Sequence, residues 1–357
     1  MRSFVLVSFL FIYTLSLAQK HHAMSVGASL YTGHIIPHSK DIATLASANP
    51  VGYNLLLAWQ SNREKATEAS PIRAKRGFRL AYTHFDNPTQ LGHAYHVTAF
   101  TEPMIRSSKK LFFSFPLDAG ISYLSKIYHP ILNPENLFFG SNISFYLGVG
   151  AQLNYKLGHR FIGQLGANYQ HISNGGIKMP NKGMNFPSYS LGFTYYLNHA
   201  NWNDLAPISE ELKPLSNSLR LFAFGSFKTV PNPNTLVPMG GVQLLFSKSI
   251  NTWHHLIIGS ELIYNTYKKE WYSKQNMKVN AWEQSFQAGY ELRIGNTSLM
   301  FLLGAELLNE KRLNTILYQR YALMQKLGKN IYVAGTLKAN AHVADIFDLR
   351  IGYQFIR

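Results

Sequence analysis

From Asn142 to Lys156 the chain alternates without a break. Ile143, Phe145, Leu147, Val149, Ala151, Leu153 and Tyr155 hold the odd positions, and Asn142, Ser144, Tyr146, Gly148, Gly150, Gln152, Asn154 and Lys156 hold the even ones. A period of two sends successive side chains to opposite faces, so the segment predicts a strand with one apolar and one polar face. The split recurs from Ser188 to Asn198, where Tyr189, Leu191, Phe193, Tyr195 and Leu197 share one parity. It recurs again where Leu349, Ile351, Tyr353 and Phe355 oppose Asp348, Arg350, Gly352 and Gln354. Runs of about ten residues exceed the roughly five or six usual in soluble strands and suit a tilted crossing of hydrocarbon.

The pattern predicts strands over 24–34, 50–60, 78–87, 92–104, 112–126, 142–156, 160–173, 187–198, 218–230, 239–248, 254–266, 282–294, 297–309, 314–327, 330–340 and 345–356. Their even number, with tight connections at 157–160, 294–297 and 327–330 and longer ones at 127–141, 174–186 and 267–281, matches the two unequal ends of an outer-membrane barrel. The expected fold is all-β: an antiparallel transmembrane β-barrel of about fourteen to sixteen strands in one barrel, preferred because closure removes every edge. The alternative is two eight-stranded barrels in tandem. The polar stretch 199–217, with Pro207 and Pro214, divides the chain into 19–198 and 218–357 and falls on the periplasmic side. The second part is expected to supply additional strands completing the barrel.

Composition agrees with a membrane solvent. Aromatic residues make up 14%, with 21 Tyr and 23 Phe, against only 15% charged residues in a chain of 357. Met1-Arg2-Ser3, the apolar run Phe4–Leu17 and the small-residue exit at Ala18 read as a signal peptide over 1–18, cut before Gln19. No later run is apolar enough for a membrane helix, which leaves a barrel as the way to span. With 0 Cys there is no disulfide framework, no thiolate metal site and no lipidated N-terminal cysteine. The balance of 34 Lys+Arg against 18 Asp+Glu, +16, comes without dense basic runs. For an exported chain it points to a phosphorylated lipid surface rather than nucleic acid. His34 with His38, His93 with His96, and His254-His255 lack acidic or thiol company, so neither a metal nor another cofactor is expected.

Candidate chemistry lies at the end of the strand 160–173. Its odd positions are Phe161, Leu165, Ala167, Tyr169, His171 and Ser173, which puts a base and a nucleophile two residues apart on the lipid-facing side, level with the outer leaflet. Polar groups facing lipid are costly and call for a reason. One reading is that both meet headgroups and water at the interface. The other is catalysis.

The flanking residues bear on that choice. His171-Ile172-Ser173-Asn174-Gly175-Gly176 followed by Pro180-Asn181-Lys182-Gly183 resembles the active-site segment of the outer-membrane lipid A 3-O-deacylase (PagL-like) family, with the pattern His-x-Ser-Asn-x-Gly and then Pro-Asn-x-Gly. The run from Gly120 through Asn133-Pro134-Glu135-Asn136 to Gly140-Ser141 is similar to its Bacteroidota members of acyloxyacyl hydrolase type. The resemblance spans roughly 24–198, is sharp over 120–197, and leaves an extra C-terminal half.

It implies an eight-stranded barrel and an ester hydrolase acting on lipid A, or lipopolysaccharide, in the outer leaflet. Ser173 would be the nucleophile, His171 the general base, and Asn174, Gly176 and Asn181 would stand near the oxyanion. The family's third triad member is a Glu, and the corresponding residue here is Asn185. An Asn can orient an imidazole but cannot stabilise its charged form; Glu102 and Glu135, both placed near the outer rim, are substitutes to consider. The alternative to an esterase is a non-catalytic barrel, channel or structural, descended from one.

Overall fold

The computed structural model describes residues 22–61, 73–106, 108, 110–198, 217–231, 234–309, 311, 313–341 and 343–356. The signal peptide expected over 1–18 and, apart from residue 217, the connection 199–217 lie outside the described residues. The chain divides into two compact units.

The first unit is built from β1 (His22–Gly33), β2 (Val51–Ser61), β3 (Arg73–His84), β4 (His93–Arg106), β5 (Leu111–Ser114), β6 (Leu117–Leu124), β7 (Ile143–Lys156), β8 (Phe161–Ser173) and β9 (Met184–Tyr196). β5 and β6 are one strand position, since both pair with β4 and with β7. The break falls at Pro116, whose missing N–H interrupts the ladder. β9 returns to β1 from Ser25↔Tyr196 to Gly33↔Ser188, closing eight strand positions with no free edge.

The second unit holds β10 (Ser218–Val230), β11 (Thr235–Ser249), β12 (His254–Tyr264), β13 (Trp282–Ile294), β14 (Thr297–Leu308), β15 (Leu317–Leu327), β16 (Ile331–Asn340) and β17 (Val343–Ile356). β10 pairs with β17 from Leu219↔Ile356 to Gly225↔Leu349, a second closed barrel. One helix, Thr266–Ser273, occupies part of the connection expected at 267–281, capped by the Asn265 side chain accepting from the Lys268 amide.

The expectation of a transmembrane-type antiparallel barrel therefore holds, in its tandem form. The single barrel of about fourteen to sixteen strands is corrected, and 218–357 does not complete the first barrel but closes on itself. The physical reason is local to the edges: once β1 satisfies β9, the first sheet offers no row of unpaired N–H and C=O groups for β10 to join.

Parity works as the alternation requires. Tyr189, Leu191 and Phe193 in the first barrel and Leu349, Ile351 and Tyr353 in the second are exposed on the outer walls, while their neighbours fill polar interiors. In the first lumen Tyr31, Thr83, His96 and Ser122 form one hydrogen-bonded chain, and Lys75 pairs with Glu102 at 2.9 Å. In the second, Arg320, Arg350, Glu261 and Asp348 bridge one another at 2.5–2.9 Å, and Arg220 holds Glu291 at 2.6 Å. An eight-stranded interior is just wide enough for side chains to fill, and here those side chains are crosslinked by charge.

At the long-loop end of the first barrel the lumen is stoppered by an apolar cluster. Ile35, Ile42 and Leu45 come from the β1–β2 loop, Phe85 and Leu91 from the β3–β4 loop, and Phe138 and Phe139 from the β6–β7 loop. Ile172 of β8 and Met184 and Phe186 of β9, all inward-facing, are fully buried in it. The strand ends carrying the outward-facing His171, Ser173 and Asn185 are thereby anchored on their inner side.

Candidate active site

β8 and β9 are in register with His171 directly opposite Asn185, and Leu147 of β7 lies opposite His171 on the other side. Opposed residues share a face, and i and i+2 of one strand share it too, so His171, Ser173 and Asn185 converge on the outer wall from backbone geometry alone. Exposed Leu147 and Tyr169 stand beside them on that wall, and Leu165 and Tyr189 continue it toward the other end of the strands.

The side chains are within hydrogen-bonding distance. His171 Nδ1 lies 2.6 Å from Asn185 Oδ1, and His171 Nε2 lies 2.9 Å from Ser173 Oγ. With an amide oxygen as the partner of Nδ1, that nitrogen must carry the ring proton, which leaves Nε2 with its lone pair toward the serine hydroxyl. This is the tautomer a general base needs. Ser173 is 8% exposed and His171 and Asn185 are half-buried, so the group is neither solvent-flooded nor sealed.

Asn185 is held from both sides. β8 pairs with it through His171, and beyond the end of β1 the Ile36 amide donates to the Asn185 carbonyl at 2.9 Å. Two residues on, Pro187 is tolerated because its β1-facing side lies past the Gly33↔Ser188 pair, where its carbonyl accepts from His34.

Asn174, Gly176 and Asn181, expected near an oxyanion, form a closed turn that directly follows Ser173 in the chain. The Asn174 amide donates to Asn181 Oδ1 at 3.0 Å, the Gly176 amide to Asn174 Oδ1 at 3.1 Å, and Asn174 Nδ2 to the Lys178 carbonyl at 2.6 Å. Both backbone donors are thus engaged within the turn.

Neither substitute acid reaches His171. Glu102 lies near the short-turn end of β4, not at the outer rim, and faces the lumen beside Lys75. Glu135 accepts a hydrogen bond from Gln90 Nε2. Among the described residues no cluster of three or more His, Cys, Asp or Glu suits a metal. A small polar cavity of about 40 Å³, lined by Arg79, Asp118, Tyr146 and Gln170, lies within the first lumen, on the opposite face of the sheet from His171.

Sequence reasoning passed over two backbone contributors. Ile36 carried no periodic signal, whereas Gly183 stood within the Pro-Asn-x-Gly match and has a left-handed backbone, φ +70.

Closed antiparallel barrels with apolar walls and polar interiors, bearing a His–Ser–Asn group on the wall, define the class: a bacterial outer-membrane β-barrel protein. Residues 51–194 match the family described as "Lipid A 3-O-deacylase (PagL)", and residues 217–357 match "Acyloxyacyl hydrolase, C-terminal domain". The chain belongs to this PagL-like acyloxyacyl hydrolase family, with the family's C-terminal domain as its second barrel. Among solved structures, the outer membrane enzyme PagL is similar at 21% identity over 47% of this chain and 98% of that one, with a TM-score of 0.34. Neisserial surface protein A is similar at 14% identity over 48% and 96%, with a TM-score of 0.33. No curated protein matches the chain.

Proposed function

We propose that this protein is an outer-membrane serine esterase that removes an ester-linked acyl chain from lipid A. Ser173 is the nucleophile, His171 the general base and acid, and Asn185 the residue that orients the imidazole. One observation carries the reading: His171 stands in register with Asn185 and two residues from Ser173, with both ring nitrogens hydrogen-bonded, on the wall where lipid lies.

Ser173 Oγ attacks the ester carbonyl as its proton passes to His171 Nε2. The tetrahedral intermediate collapses when Nε2 returns that proton to the leaving sugar alkoxide, and a water molecule activated by the same nitrogen then hydrolyses the acyl-serine. Asn174, Gly176 and Asn181 are the proposed oxyanion neighbours. The substrate oxygen would take the Asn174 amide in place of Asn181 Oδ1, so that donor would serve the charged intermediate. The apolar wall below Tyr169 would receive the acyl chain.

Purified protein in detergent, incubated with lipid A, should release free fatty acid, and Ser173→Ala and His171→Ala should each lower release by at least about a thousandfold. Equal release by wild type and both variants would refute the assignment. Asn185 in place of a carboxylate favours a second reading, a structural barrel without activity, in which wild type and variants alike release nothing.

A further inference from the structure

We propose that Gly183, pinned by the backbone strap Leu137–Phe138, is a positioning residue that sets both hydrogen bonds of His171. The inference rests on the esterase reading of the same site. Gly183 enters β9 with φ +70. A Cβ at this position would stand 3.0 Å from His171 Cε1, 3.1 Å from Ser173 Cβ and 3.3 Å from the Ile172 carbonyl oxygen. Carbon atoms settle at about 3.5–4.0 Å, so a Cβ here would force its neighbours, His171 Cε1 first, to give by a few tenths of an ångström.

Cε1 is the ring atom between Nδ1 and Nε2. A push on it therefore displaces both nitrogens together, away from Asn185 Oδ1 on one side and Ser173 Oγ on the other. The glycine does not yield readily. Its amide donates to the Phe138 carbonyl at 3.1 Å, and the neighbouring Lys182 amide donates to the Leu137 carbonyl at 3.0 Å. Phe138 is fully buried in the apolar stopper. His171 is thus held at Nδ1 by Asn185 and at Nε2 by Ser173, and a Cβ on the glycine anchored to the β6–β7 loop would press on Cε1 between them.

The test compares the full-length protein with Gly183→Ala, Gly183→Asn and Gly328→Ala. Asn tolerates a left-handed backbone better than Ala, so it adds the same Cβ with less strain. Gly328 has φ +66 with nothing within 4 Å of a Cβ, which makes it the control for backbone strain alone. Folding is read from the heat-dependent shift in electrophoretic mobility. Activity is read as kcat and KM for acyl release and as the rate at which a fluorophosphonate labels Ser173.

Both Gly183 variants are expected to lose about tenfold or more in kcat and labelling rate, since sub-ångström misplacement of reacting groups is costly, with KM within about twofold. Gly328→Ala is expected to match wild type within about twofold. A folded Gly183→Asn protein with wild-type kcat and labelling rate overturns the proposal, as does a change in KM alone. Failure of both Gly183 variants to fold also overturns it, by assigning the glycine to stability. The esterase reading fails separately, when Ser173→Ala hydrolyses as fast as wild type.

Discussion

Replacing Asn185 by Asp changes one atom type in a side chain whose oxygen already lies 2.6 Å from His171 Nδ1. The ring is neutral before attack and cationic at the transition state, so a carboxylate there acts on the barrier rather than on binding. Unit charges about 4 Å apart attract by about 4 kcal/mol at an effective dielectric near 20. His171 and Asn185 are half-buried, and solvent reduces this to roughly 2 kcal/mol. At about 1.4 kcal/mol per decade that is a rate increase of about thirtyfold. The assay is initial-rate acyl release from lipid A in detergent, followed by mass spectrometry, beside Asn185→Ala, which should lose at least about tenfold. A folded Asp variant no faster than wild type, with the Ala variant unimpaired, would refute the idea that position 185 orients and stabilises the imidazole.

Three further outcomes follow from the interiors. Glu102→Gln should leave acyl release unchanged within about twofold, because Glu102 faces the lumen; its cost, about 3–5 kcal/mol from a broken buried pair, should appear in urea unfolding. Phe138→Ala should destabilise the first barrel by about 3–5 kcal/mol and slow hydrolysis as the stopper loosens, checked by unfolding and rate measurements on the same preparation. In planar bilayers the protein should show no porin-sized conductance, since the second lumen is crossed by the Arg320–Glu261 and Arg320–Asp348 bridges; steady open-channel steps would contradict the filled interior.

Every strand position was legible in the alternation because lipid outside and polar groups inside enforce a strict period of two. What periodicity lacks is partner identity. The choice between one barrel and two depends on whether β9 meets β1 or β10 meets β9, a non-local pairing with no trace in either strand's pattern, and a preference for one closure chose wrongly. The break between β5 and β6 was readable at Pro116 but was absorbed into one run, 112–126.

At the candidate site, parity alone brought His171 and Ser173 to the outer wall. Asn185 came from the family resemblance, because the strand was expected over 187–198, which begins two residues after it. The observed start at Met184 puts Asn185 inside the ladder, opposite His171. Glu102 was misplaced by height along β4, which descends from His93 at the rim. The contacts of Ile36 and Gly183 depend on loops folding over strand ends, and those are written in no local spacing.

The central claim is tested most directly in the membrane itself, by mass spectrometry of lipid A from cells expressing wild type or Ser173→Ala at equal levels in the outer membrane. The account predicts a lipid A species lighter by one ester-linked acyl chain with wild type and unmodified lipid A with the variant. The same lipid A profile from both would contradict it.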